Sequence, residues 1–374
     1  MPHFRIGRFI AQPLAGRFES YDPVTNQALI MTRGFLFSDQ QDFYATADSF
    51  GSMALNKVGF PLSEAFNILL VVHSDLSADL YINDFPVVAS VRVKRTFKEK
   101  DRIYRDDIAD IGEMSFPEVQ LAETDQMFFL WKVGWKFGFY LDFTGRLDLS
   151  ETYKQLGKYH RFLLFQSVYD HIATNPLYAQ MFNDGWFPFA ELLEATYIEL
   201  VRIYERTVTD RPALLQQYFV GFDAARIERM SQRWFAKAIV GAKKGLIEAG
   251  LDAYRQNSAA GNVQCIKTLY TEIEGILRDL YHSTHGTRPN TRQLIQEIER
   301  QAAATVPDPE SLLFPNDFSR FLTIVFFRGF DVASGQVDLS RHSTAHGVAP
   351  EAEYTRARAL QGVLILDQIA FYLA

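Results

Sequence analysis

From Trp131 to Phe143 (WKVGWKFGFYLDF) a large apolar residue stands at every odd position, with Lys132, Gly134, Lys136, Gly138 and Asp142 between them and Tyr140 the one bulky exception. Such alternation predicts a β-strand with one buried face, because successive side chains of a strand point to opposite sides. Phe66 to Val72 is a continuous apolar run suited to a central strand, and Val87, Ala89, Val91 and Val93 alternate with Val88, Ser90, Arg92 and Lys94. Asn83-Asp84 and Thr144-Gly145 place turn formers between the runs. Residues 1–148 therefore read as an antiparallel β-sandwich or barrel.

After Leu149 the apolar spacing lengthens to about 3.6 residues, the period of a helix. Ser150 is placed to cap a helix running towards His171, Phe189 to Arg206 spaces its apolar residues as an amphipathic helix does, and Asp223 to Tyr254 reads as one long helical stretch. QNSAAGN at 256–262 breaks that stretch and marks a domain boundary or hinge. Four helical signals follow, at 262–282, 291–303, 317–329 and 352–373, with Asn290 (supported by Gln293) and Asn316 as N-caps. The predicted fold class is α+β, in three parts: a β-rich domain (1–148), an all-α connector (149–256) and a C-terminal helical bundle (257–374).

Composition narrows the picture. With 48% hydrophobic residues in 374, the chain can bury a large core, and 38 basic against 45 acidic residues (net −7) exclude a uniformly basic coat for nucleic acid. Cys265 is the single cysteine, which excludes an internal disulfide and any cysteine-built zinc cluster and suits a reducing cytoplasm. Arginines interrupt the first residues where a secretion signal needs an apolar run, and the apolar stretch from Ala359 carries Asp367 and falls short of the ~20 residues of a spanning helix. The expectation is a cytoplasmic protein with no membrane partner.

Candidate chemistry lies in two short stretches, Ser340 to Gly347 (SRHSTAHG) and Tyr281 to Gly286 (YHSTHG), which hold four of the eight histidines. Asp338 or Ser340 is an N-cap for a short helix that Gly347 would end. At about 100° per residue, Arg341 and His346 diverge by roughly 140°, so they would approach a cleft from different sides or face a partner subunit. Arginine grips phosphate oxygens in a fork, and histidine moves a proton near neutral pH. The pair suits metal-free cleavage of RNA, in which the ribose 2′-hydroxyl attacks the neighbouring phosphate.

This segment resembles the R-x(4–6)-H signature of the HEPN superfamily (higher eukaryotes and prokaryotes nucleotide-binding), helical domains of which many are ribonucleases. The resemblance covers about residues 257–374. It rests on the motif's late position among four helices, polar His342 after Arg341, Gly347 after His346, and a strongly apolar last helix. It implies that Arg341 binds phosphate, that His346 transfers the proton, that His342 has a supporting polar role, and that the chain forms a homodimer in which two motifs share a cleft. Some relatives carry a modified tyrosine two residues past the histidine; Val348 stands there in this chain. The layout resembles toxin or abortive-infection effectors of antiviral defence, with the N-terminal domain binding a phage or cellular trigger. The alternative is a non-catalytic HEPN-like dimerisation or nucleotide- or RNA-binding protein.

Two further features bear on chemistry. Arg278 and His285 also satisfy the loose spacing but end the first helix of the bundle, where His282 and His285 suit the helix dipole; a metal-dependent nuclease built on these histidines is a third reading. Glu272 or Glu274 would border the cleft. The run from Arg92 to Arg105 has seven cations (Arg92, Lys94, Arg95, Lys98, Lys100, Arg102, Arg105) against two acids, with Phe97, Ile103 and Tyr104 interleaved, and is a candidate RNA-binding patch. No P-loop, G-x-G-x-x-G, G-x-S-x-G or H-E-x-x-H motif is present, and neither cofactor nor metal is expected.

Overall fold

The computed structural model describes residues 3–9, 17–306, 308–330, 337–338 and 340–373. The chain forms two compact units, Met1–Val91 with Ile111–Gln166, and Arg92–Asp110 with Ser167–Ala374. The first contains β1 (His3–Ile6), β2 (Arg17–Asp22), β3 (Gln27–Met31), β4 (Arg33–Phe37), α1 (Phe43–Asn56), β5 (Ile68–Val72) and β6 (Ala78–Ile82). After β7 (Val88–Val93) and β8 (Ile108–Ser115), it continues through β9 (Gln126–Val133), β10 (Lys136–Asp142) and the start of α2 (Leu149–Thr174). The architecture is α+β, an antiparallel sheet region followed by a mostly helical remainder.

Six strands make one sheet in the order β1-β6-β5-β9-β10-β4, every pair within it antiparallel, while β2-β3 and β7-β8 are separate two-stranded ribbons. The sandwich or barrel expected for this region is replaced by a single sheet with a helix on each face. On one face Phe43, Phe50 and Leu55 of α1 pack with Leu70, Leu80, Phe128, Phe139 and Leu141. On the other, Leu156 and Leu163 of α2 pack with Leu69, Val71, Phe129, Trp131 and Tyr140. Gly157 lets α2 approach so closely that a Cβ there would lie 2.1 Å from the Gly112 carbonyl oxygen.

The alternating run at 131–143 is a hairpin and not one strand. Val133 pairs with Lys136, which leaves Gly134 and Trp135 as a two-residue loop in which Gly134 takes the left-handed φ of +60°. The loop inverts the phase. Phe129 and Trp131 share a face with Tyr140, whereas Phe139 and Leu141 share the opposite face with Phe128 and Leu130. Because both faces are covered, Tyr140 is core, and Trp135, at the tip, is 94% exposed.

In the second unit α3 (Leu177–Asn183), α4 (Ala195–Tyr204), α5 (Arg211–Val220), α6 (Ala224–Phe235), α7 (Ala238–Gly241) and α8 (Lys244–Arg255) precede α9 (Ala259–His285) and α10 (Thr291–Thr305). There follow α11 (Pro315–Phe321), a π-turn (Leu322–Phe326), α12 (Arg341–Ala345) and α13 (Arg356–Tyr372). The helix expected from Phe189 begins only at Ala195, since Glu194 has φ of +80° and Phe189–Leu193 form buried turns. The stretch from Asp223 to Tyr254 divides into α6, α7 and α8. At 256–262 the break is short: Ser258 caps α9 by accepting from Gly261 N–H, and α8 packs along α9.

Asn290 and Gln293 form the predicted capping box of α10. Asn316 does not cap α11, because Pro315 already occupies its first turn after Phe314. Every residue of α13 from Ala359 to Tyr372 is buried, the polar Gln361, Asp367 and Gln368 included. Among the described residues no helix is long and apolar enough to cross a membrane.

Candidate active site

The turn that carries Arg341 and His346 is short and firmly capped. Ser340 Oγ accepts from Ser343 N–H at 3.2 Å, and Ser343 Oγ accepts from Ser340 N–H at 2.8 Å, a reciprocal capping box. Ser343 Oγ also donates to the Asp338 carbonyl at 2.8 Å, and Ser340 Oγ to the Arg328 carbonyl at 2.9 Å. Ser340 is therefore the N-cap, and the Asp338 carboxylate pairs with Arg328 instead. His346 is the C-cap residue, and Gly347 leaves the helix with φ of +69°. Buried Ser343 and Thr344 hold α12 against the unit, and Arg341, His342 and His346 remain at least partly open to solvent.

Arg341 lies on Glu274 of α9, with Nε facing Oε2; its side chain is 21% exposed and that of Glu274 only 4%. The other oxygen of this carboxylate, Oε1, accepts from Arg278 Nε at 2.7 Å, and Arg278 also donates to the Pro289 carbonyl at 3.1 Å. One buried carboxylate thus sits between two guanidiniums. Burial lowers the Arg341 pKa, but a guanidinium starts so high that it stays charged. Nε faces Glu274, and the terminal nitrogens of the guanidinium are further donors.

His342 is half-buried, its ring centroid 5.9 Å from that of Phe327. Burial pushes its pKa down, and the neighbouring Arg341 and His346 add to the effect. These effects favour the neutral imidazole. His346 is exposed, its ring 5.4 Å from that of Phe330.

The upstream histidines belong to the end of α9, where Gly286 has φ of +68°. His285 lies beside Tyr281, the rings tilted at 32° with 4.2 Å between centroids, and reaches Glu297 at 3.3 Å, a carboxylate also held by Arg300 at 2.6 Å. Among the described residues no group of three or more His, Cys, Asp and Glu side chains is placed to hold a metal ion.

The basic run divides in two. Arg92 donates to the carbonyls of Phe371 and Thr305 at 3.0 and 2.7 Å, Lys94 to that of Leu193 at 3.2 Å, Arg95 to Asp107 at 2.6 Å, and Arg105 pairs with Glu194 at 2.5 Å. Lys98, Lys100 and Arg102 are exposed. Phe97 lies under the Arg95 guanidinium at 3.8 Å, and Ile103 and Tyr104 are exposed.

One cluster carries no local signal in the sequence. His73 bridges Asp125 at 3.0 Å and Asp79 at 2.9 Å, and Asp79 also holds His3 at 3.0 Å and Arg5 at 2.7 Å. The registers of β1 and β5 on β6 and of β5 on β9, with Arg5 and Val71 each opposite Asp79 and Val72 opposite Gln126, bring these residues together. No family model matches the chain, and no curated protein and no solved structure matches it significantly.

Proposed function

We propose that the chain is a metal-independent endoribonuclease of the HEPN type, in which Arg341 grips the scissile phosphate and His346 moves the proton. The observation that carries this reading is the placing of Arg341, His342 and His346 on one doubly capped turn, with the guanidinium held by the buried Glu274 carboxylate and the His346 ring in solvent. The succession of helices α9, α10, α11, α12 and α13 supports this reading, because HEPN domains are helical.

In the proposed reaction the ribose 2′-oxygen bonds to phosphorus while the bond from phosphorus to the 5′-oxygen breaks, leaving a 2′,3′-cyclic phosphate and a 5′-hydroxyl. An imidazole takes the 2′-hydroxyl proton and a second, His346 of the other copy in a homodimer, gives one to the departing oxygen. Arg341 meets the charge that builds on the phosphate oxygens, and the chemistry needs no cofactor. Glu274 is a positioning residue, since it acts through Arg341. Neutral His342 contributes a hydrogen bond. On this reading the chain acts in the cytoplasm as a toxin or abortive-infection effector, and the sheet unit receives the trigger.

Pairing of Arg341 with Glu274 also favours a second reading, in which the guanidinium is structural and the helical region only dimerises or binds nucleotide or RNA. Incubation with transfer RNA and total cellular RNA in EDTA separates the two. The wild type should leave cyclic phosphate ends on RNA and spare DNA, and Arg341→Ala and His346→Ala should each cut roughly 10²–10⁴-fold more slowly while remaining dimeric. Cleavage that survives both substitutions removes these residues from the site, and binding without cleavage by the wild type favours the second reading.

A further inference from the structure

Away from α12, the helical unit contains a pocket of about 340 Å³ between the segment that follows β7, residues 191–196 and α6. That volume is in the range of small-molecule sites. Most charged groups of its wall are already matched. Arg226 donates to Glu191 Oε1 and to the Glu191 carbonyl, both at 2.8 Å, Arg95 is fixed to Asp107, and Asp223 caps α6. Behind the wall, Arg233 holds the Lys94 carbonyl and the buried Asp367 carboxylate.

Lys94 is an exception. The residue is 8% exposed, and its Nζ donates to the Leu193 carbonyl at 3.2 Å, one acceptor for a group with three donors. Among the described residues no carboxylate lies within ion-pair distance of it. Buried lysines are ordinarily paired. Here burial dominates and brings the pKa down to about 8, against the upward pull of Glu191. Arg229, exposed on α6 one turn beyond Arg226, lines the same pocket. A buried amine short of acceptors and a guanidinium without an acid partner among the described residues, lining one pocket, make a receptor for a compact anion. Asp106 and Asp223 in the lining disfavour a polyanionic strand.

We propose that this pocket binds a small molecule bearing an oxyanion, a phosphate or a carboxylate, held between Lys94 Nζ and the Arg229 guanidinium. The site is separate from the Arg341 turn and stands whether or not the chain cleaves RNA. Titration calorimetry on the full chain, with ribose 5-phosphate, citrate and uncharged ribose as probes, tests it. Saturable one-to-one binding of ribose 5-phosphate or citrate, with none of ribose, is expected, and whichever anion binds identifies the preferred group. Charge reversal by Arg229→Glu, at an exposed position that folding tolerates, should weaken binding roughly tenfold or more, as should Lys94→Met where the variant keeps its wild-type circular dichroism. Failure of both anions to bind, or affinity unchanged by Arg229→Glu, overturns the proposal.

Discussion

In the sheet unit the interior is a set of aromatic and aliphatic layers, and its buried charges stand mainly at the ends of strands; in the helical unit buried charges are carried inside by helices and by the turns between them. Asp142, at the end of β10, accepts from Thr144 N–H at 3.0 Å and from Arg33 at 2.5 Å, so it terminates a strand and shapes a turn. In the helical unit Asp367 meets Arg233, Glu191 meets Arg226 and Glu274 meets Arg341, each partner coming from a distant element. Burial of apolar area stabilises without choosing a geometry, whereas a buried ion pair contributes little net stability and fixes where each group points. Both proposed sites belong to the helical unit for that reason.

Breaking the aromatic layers should have the largest effect. Phe129 stacks on Trp131 at 4.7 Å and meets Phe116 edge-on at 4.8 Å, and Phe129→Ala should cost about 3–5 kcal/mol. Urea denaturation measures it, and a loss below about 1 kcal/mol would mean that the layer is not the source of stability. Glu274→Gln should cost less, about 1–2 kcal/mol, because Arg341 and Arg278 both reach solvent and recover hydration. It should nevertheless depress RNA cleavage about as strongly as the loss of Arg341. Rescue of cleavage by Glu274→Asp would separate positioning from simple packing.

The smallest effect concerns pH. Burial alone would lower the His73 pKa, but its hydrogen bonds to Asp79 and Asp125 outweigh that and the net direction is up. For Asp79 burial raises the pKa, and His73, His3 and Arg5 together bring it below the ordinary carboxylate value. The imidazolium contribution is then complete below the unfolded histidine pKa of about 6.5 and fades as pH rises through the higher folded value. The Asp79 contribution is present above about 3.9 and is lost as pH falls through its depressed folded value. Melting temperature should decline modestly from mildly acidic to mildly alkaline pH, by less than about 1 kcal/mol of stability, and His73→Asn should flatten that slope. An unchanged slope in the variant would show that the cluster is not coupled to folding.

Much of this was legible in the chain, for reasons that differ by region. The strand at 68–72 and the caps at Asn290 and Ser340 rest on local rules, composition within one strand and hydrogen bonds across three residues, so a linear reading finds them. The hairpin at 134–135 was hidden because a two-residue loop restores odd spacing on the far side while exchanging faces. A sandwich was expected because strands buried by helices on both sides resemble strands buried by another sheet. The basic run looked like a surface patch, yet Arg92 and Lys94 find acceptors 279, 213 and 99 residues away. Nothing in the spacing of charges encodes such partners; Glu274 beside Arg341 is of the same kind.

The exposed tip of the β9-β10 hairpin has a practical consequence. Trp131, Trp186 and Trp234 are all buried, so collisional quenchers such as iodide can reach Trp135 while the other indoles are shielded. Quenchable, red-shifted emission from the intact protein therefore reports on a single loop, and the unquenched blue component reports on the interiors of both units.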